Sequence, residues 1–316
     1  MSIYKIEDIK SKPVLRLPTC IPELDWIYGY TSGVYGLPSG KMSLWAGEKG
    51  TGKSRAAIEV CRRVAGHTYN PKDYGQDRKP WKCNVLYFQK EVDMGTLLGW
   101  YKQDGSTVPS NFYPSDSATI DEQCQDIMNV KPLLVIVDSI NMLREFRSHS
   151  DDAIEEAIDK YRKVCEATLC HIIFLQQLNK DGSPKGSSSI AHLLDVEMIL
   201  KRMCSDGFSM ACPQKNRYGK TGISIWWYHT PKKAQTNSDF RLEDKEYCKK
   251  TGAKYRDLEA EGKAFQRKMQ IEEEREDAIR QAQEEEEYEA YLDSLRTPLQ
   301  RFIKRTPLGI FSQKDL

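Results

Sequence analysis

Residues 47–54 read GEKGTGKS, and no other stretch of the chain constrains its fold as tightly. The octet fits the pattern GxxxxGK[ST], a P-loop. Glycines let such a loop curl until its backbone N–H groups point inward at an anion. Lys53 brings a compact positive charge to β and γ phosphates, and Ser54 offers a hydroxyl to a magnesium ion. A helix that begins here presents its positive end to the same anion. The strand-like run MSLWAG (42–47) comes before the loop, and a helical pattern over Ser54–Ala65 comes after it. The candidate cofactor-binding residues are Gly47, Glu48, Lys49, Gly50, Thr51, Gly52, Lys53, Ser54 and Arg55, and the expected cofactors are ATP and Mg2+.

The same alternation continues along the chain. NVLYFQ (84–89), LLVIVDS (133–139) and HIIFLQQ (171–177) are short apolar runs bounded by polar or turn residues, as strands buried on both faces are. A helical pattern covers Asp151–Glu166, and a further strand pair is expected around Glu197–Met203 and Ile223–His229. Strand and helix in alternation predict an α/β fold with a mostly parallel central sheet flanked by helices. Three regions are expected: an N-terminal arm (1–13), the core (14–235) and a charged helical C-terminal extension with a tail (236–316). The segment 240–295 carries the acidic blocks Glu272–Glu274 and Glu284–Glu287, a composition that favours solvated helix.

Formal net charge is +1, so the chain cannot coat nucleic acid by overall charge, and any such contact needs a local patch. Nine cysteines without a CxxC pair read as reduced thiols, several of them buried, and give no basis for structural zinc. The N-terminus lacks the apolar stretch of a secretory signal, and no run approaches a membrane span; the expected location is the cytoplasm.

Two carboxylates complete the phosphate site. Asp138 ends the run LLVIVD, where it can hold a magnesium-bound water; read alone, it is also a plausible turn residue. Glu91 follows NVLYFQK, where it can act as general base on a water, with Asp93 as a nearby competitor and a solvated charge as the plain alternative.

In its order of motifs the chain resembles the RecA-fold ATPases, most of all the RadA (Sms) recombination proteins. The carrying segments are LPTCIPELDWIYG…GLPSGKMSLWAGEKGTGKS, VLYFQKE, TIDEQCQDIMNVKPLLVIVDSINML, FLQQLNKDGSPKGSSSIAHLLDVEMIL and Lys215-Asn216-Arg217-Tyr218-Gly219, which is similar to the RadA signature KNRFG. The resemblance covers roughly residues 14–230 and implies a RecA-like P-loop core. It implies that Glu91 activates water, that Gln177 senses the γ-phosphate, and that Lys215 and Arg217 reach into a neighbouring subunit's site as positive fingers. Taken without that pattern, Lys215-Asn216-Arg217 is an exposed basic turn. The family's four-cysteine zinc module and Lon-like domain are not visible. Cys20 stands where the family has glycine, and Gln177 where RadA has histidine, which is nearer to the DnaB helicases.

In the resembled proteins the loop corresponding to residues 180–190, KDGSPKGSSSI, faces single-stranded DNA, so Lys180 and Lys185 are candidate phosphate contacts; an ordinary solvent loop is the alternative. Arg144, Phe146 and Arg147 are a second candidate. The acidic helix at 270–290 is either a solvated helix or a mimic of nucleic acid, and Leu299–Phe311 either docks on a neighbouring subunit or partner protein or packs on its own core. The expectation is a single-stranded-DNA-stimulated ATPase, possible helicase, acting as a homo-oligomeric ring or filament, with a hexamer as the expected ring. Its sphere is recombination, repair or replication, with no membrane partner. Three rivals stand: a DnaB-like replicative motor, an ATP-switched DNA-binding or annealing mediator with incidental hydrolysis, and a KaiC-like signalling scaffold.

Overall fold

A computed structural model describes residues 14–70, 79–102, 107–147, 150–179, 182, 190–202, 208–228 and 240–295. Short strands β1 (Arg16–Leu17), β2 (Tyr30–Thr31), β3 (Val34–Tyr35) and β4 (Leu37–Pro38) surround helix α1 (Pro22–Tyr28). The alternating body follows: β5 (Lys41–Gly47), α2 (Lys53–Gly66), β6 (Val85–Gln89), α3 (Met94–Tyr101), β7 (Phe112–Ser115), α4 (Ile120–Val130), β8 (Leu134–Asp138), α5 (Arg144–Arg147), α6 (Asp151–Thr168) and β9 (His171–Gln177). After these come α7 (Ile190–Leu193), β10 (Val196–Arg202), β11 (Phe208–Asn216), β12 (Ile225–Tyr228), β13 (Phe240–Leu242), α8 (Lys245–Thr251) and α9 (Leu258–Leu295).

Among the described residues, nine strands form one sheet in the order β13-β12-β11-β10-β5-β9-β8-β6-β7. The six from β10 to β7 run parallel, and β11, β12 and β13 close one side as antiparallel strands. This is the mostly parallel sheet flanked by helices that the alternation predicts.

The parallel strands read as continuous apolar runs because both faces are covered. Alternate residues serve opposite layers. Trp45, Tyr87, Leu134, Ile136, Ile173 and Leu175 join α1, α2 and α3 in one core. Leu44, Leu86, Phe88, Val135, Val137, Ile172 and Phe174 join α4 and α6 in the other. Burying each such side chain contributes about 1.5–3 kcal/mol. Helix starts are set by local chemistry: Thr119 and Glu122 form a reciprocal capping box on α4, and Asp93 accepts from the Thr96 N–H to cap α3.

Three expectations need correction. The strands expected near Glu197–Met203 and Ile223–His229 are β10 and β12, but β11 lies between them, so they do not pair with each other. The alternating small and polar residues of FSMACPQKN gave β11 no apolar run to recognise. The charged segment does not begin as helix either. Phe240 and Leu242 are buried in the core as β13, and Tyr247 on α8 is buried beside them, so the first compact unit ends at Arg256 rather than at 235. Tyr247 stacks on Trp26 with ring centroids 4.1 Å apart, a contact no composition argument would show.

The second unit begins at Asp257 and contains α9, polar on all sides, with an exposed Lys263–Glu259 pair at 2.7 Å one turn apart. The expected arm (1–13) and the segment Leu299–Phe311 lie outside the described residues. Eight described cysteines are free thiols, with Cys61, Cys83, Cys165, Cys170 and Cys248 buried. Cys20 has φ 61°, a left-handed conformation that strains any residue with a Cβ. Among the described residues no helix is long and apolar enough to cross a membrane.

Candidate nucleotide site

Register brings the site together at the carboxyl ends of the parallel strands, where ligands of open α/β sheets bind. Gly47 at the end of β5 pairs with Gln177 at the end of β9. Asp138 at the end of β8 lies between Leu175 and Gln89, and Glu91 follows two residues after Gln89. One cleft of about 240 Å³ is lined by Lys49, Gly50, Gly52, Lys53, Ser54 and Arg55 on one side. Glu91, Asp138, Ser139, Gln177 and Trp100 line the remainder.

The loop requires its glycines. Gly50 and Gly52 adopt φ of 85° and 81°, and a Cβ at Gly47 would stand 2.6 Å from the Leu200 carbonyl oxygen. Lys53 is only 8% exposed; its ammonium donates to the Gly47 and Glu48 carbonyls at 2.7 and 2.8 Å. Burial lowers its pKa, and the negative charges of Asp138, Glu91 and Glu48 oppose that shift. Asp138 is 3% exposed and accepts from the Tyr87 hydroxyl at 2.8 Å and from the Ser54 hydroxyl. Burial raises its pKa, against the pull of those two hydrogen bonds. A buried lysine and a buried aspartate on one cleft, with the Ser54 hydroxyl at the aspartate, suit a phosphate chain and a hard cation that prefers oxygen ligands.

Glu91 is exposed to the cleft yet held by its neighbours. It accepts from the Gln177 amide at 3.0 and 3.1 Å and from the Ser139 hydroxyl at 2.5 Å. Its backbone N–H donates to the Gln89 side-chain oxygen at 2.7 Å, and the Gln177 N–H donates to Asn141 at 2.8 Å. Asp93 is absent from the cleft lining and caps α3 instead. Sequence reading missed Ser139, Tyr87, Asn141 and Trp100. The position of Ser139 directly after Asp138 was the available signal for the first; the others come from tertiary packing.

Lys215 and Arg217 are not in this cleft. Lys215 on β11 opposes Glu197, which pairs with Leu44, three residues before Gly47 on β5. That puts it roughly 10 Å back along the strands, toward the opposite end of the sheet. There Lys215 donates to the Ala191 and His192 carbonyls at 3.0 and 2.9 Å, and Arg217 pairs with Asp195 at 3.4 Å. Burial and the charge of Arg217 lower the Lys215 pKa. The turn is locked to the end of α1. Asn216 donates to the Ile27 carbonyl at 2.8 Å, Arg16 to the Tyr218 carbonyl at 3.0 Å, and a Cβ at Gly219 would stand 2.1 Å from the Ile27 oxygen.

Of the candidate DNA contacts, Arg144 is exposed at the start of α5, downstream of Asp138. Phe146 is 1% exposed and packs in the core, so it does not line a channel. Arg147 ends α5, while Lys180 and Lys185 lie outside the described residues.

Residues 7–183 match the AAA domain family. The chain belongs to that family. Within curated proteins, the DNA repair protein RadA of Mycolicibacterium smegmatis is 26% identical over 213 residues, 64% of this chain and 41% of that protein. RadA of Aquifex aeolicus is 24% identical over 226 residues, 68% of this chain and 47% of the relative. The chain therefore spans less than half the length of these relatives. Among solved structures, the ATPase domain of G40P aligns with a TM-score of 0.49 at 14% identity, covering 68% of this chain and 88% of that one. The RadB recombinase aligns with a TM-score of 0.46 at 16% identity, covering 62% and 90%. The AAA domain match takes in the P-loop, Glu91, Asp138 and Gln177, and ends before the Lys215–Gly219 turn.

Proposed function

We propose that this chain is the ATP-hydrolysing core of an oligomeric DNA-processing machine acting in recombination or repair. The observation that carries the reading is one cleft into which the P-loop, Asp138, Glu91 and Gln177 converge. Lys53 turns from the loop carbonyls to the β and γ phosphates. Ser54 and Asp138 would hold Mg2+, which would supply positive charge to the phosphate chain. Glu91 accepts the proton of the attacking water, with Ser139 fixing its orientation. Gln177, bonded to Glu91 and ending the strand beside the P-loop, reports the γ-phosphate to the segment that follows β9.

Charge developing on the transferred group calls for cations supplied from outside the cleft. Lys215 and Arg217 lie toward the other end of the sheet from their own P-loop, which supports their delivery to a neighbouring copy. The resemblance to RadA supports single-stranded DNA as the nucleic-acid partner, with Arg144, exposed at the start of α5, as a contact.

The test is ATP turnover with and without single-stranded DNA, measured together with native mass. Stimulation by DNA in a multimeric species is expected. A monomer with turnover indifferent to DNA would overturn the proposal.

A further inference from the structure

Every catalytic group described so far serves phosphates or water, and one large residue of the cleft does not. Trp100 sits on α3, which is anchored by Leu97 and Tyr101, 0% and 2% exposed in the core. That anchoring leaves the Trp100 side chain half-buried at the cleft wall. Arg55, the residue after Ser54, lies over the indole with its guanidinium carbon 5.6 Å from the ring centroid. A guanidinium is flat and cationic, and its position marks the indole face as reachable by a planar group from the P-loop side.

We propose that Trp100 is the stacking platform for the nucleobase, taking a purine ring of a nucleoside triphosphate on the face where Arg55 now rests. This deepens, and rests on, the reading of the P-loop as a nucleotide site. The phosphates are fixed at the amino end of α2, so the nucleoside leaves that end along the cleft wall. Trp100 is the aromatic ring among the described residues that line that wall. Arg55 swings aside and remains next to the phosphates. Base-on-aromatic stacking gains affinity without any hydrogen-bond pairing, because the base presents its π-face.

The experiment compares equilibrium binding of ATP and of inorganic tripolyphosphate by the full chain and by Trp100→Ala, Trp100→Phe and Lys53→Ala. Trp100→Ala is expected to weaken ATP binding about tenfold or more, while tripolyphosphate stays within about twofold. Trp100→Phe keeps a ring and is expected to bind ATP within about threefold of the parent. Lys53→Ala is expected to weaken both ligands. Unchanged ATP affinity in Trp100→Ala overturns the proposal, and so does an equal loss of ATP and tripolyphosphate, which would mean a deformed cleft. Insensitivity of both ligands to Lys53→Ala would instead strike the P-loop reading, so the two failures are distinguishable.

Discussion

Replacing Arg217 with alanine is expected to abolish turnover while sparing nucleotide binding, and the loss should be rescued by a second, differently broken subunit. Arg217 is 56% exposed and reaches Asp195, whose side chain is 15% exposed, only at the long distance of 3.4 Å. Breaking such a pair costs about 0–1 kcal/mol. A cation placed on a phosphoryl transition state is worth about a thousandfold or more, or roughly 4 kcal/mol, so moving the side chain to a neighbour's cleft is favourable. Lys53→Ala destroys the cleft but leaves the arginine intact; Arg217→Ala does the reverse. In a randomly mixed assembly, a working site needs an Arg217→Ala subunit receiving from a Lys53→Ala subunit. Equal mixing makes about one site in four competent, so phosphate release should recover to about a quarter of the parent rate. Each variant alone should stay near background. A mixture no more active than its parts, with mixed assembly verified by mass, would refute delivery between subunits. Full turnover in Arg217→Ala would refute the role of this residue outright.

Two further outcomes follow from the cleft and the core. Glu91→Gln should lower turnover by about a hundredfold to ten-thousandfold and leave ATP affinity and melting temperature nearly unchanged, because the side chain is exposed and the amide keeps its size; single-turnover phosphate release checks this, and a loss under tenfold would remove Glu91 as the base. His171 is fully buried, donates to the Pro38 carbonyl at 2.8 Å and accepts from the Ser43 hydroxyl at 2.8 Å; burial lowers its pKa from 6.5 to about 4. The folded state keeps it neutral while the unfolded chain protonates it below pH 6.5, so its stabilisation is full above 6.5 and fades as pH falls to about 4, by about 3 kcal/mol at most. Urea titrations of the parent and His171→Phe should therefore converge toward acid by that amount, and a constant gap would refute it.

The sequence made some parts of this molecule readable and hid others for physical reasons. Strands β5, β6, β8 and β9 are covered on both faces and so appear as uninterrupted apolar runs. The P-loop was legible because its glycines and lysine are demanded by local geometry. Glu91 and Asp138 were legible because each follows a recognisable strand end. β11 was not, since Ser209, Gln214 and Lys215 break its pattern and its partners lie on either side in space. Phe146 looked like a channel residue because charged neighbours flank it, yet it packs against α6 and the core. The place of β13 and α8 depends on rings meeting across more than two hundred residues, as Trp26 and Tyr247 do. No local pattern encodes such a meeting.

The P-loop and the Arg217 turn sit toward opposite ends of a single sheet. If each end serves a different neighbour, two copies facing one another about a two-fold axis can satisfy neither site, because that arrangement joins like to like. Subunits must then queue head to tail, every one both donor and recipient. An open queue wastes one cleft at its front and one arginine at its rear, and only joining those two ends puts every copy to use.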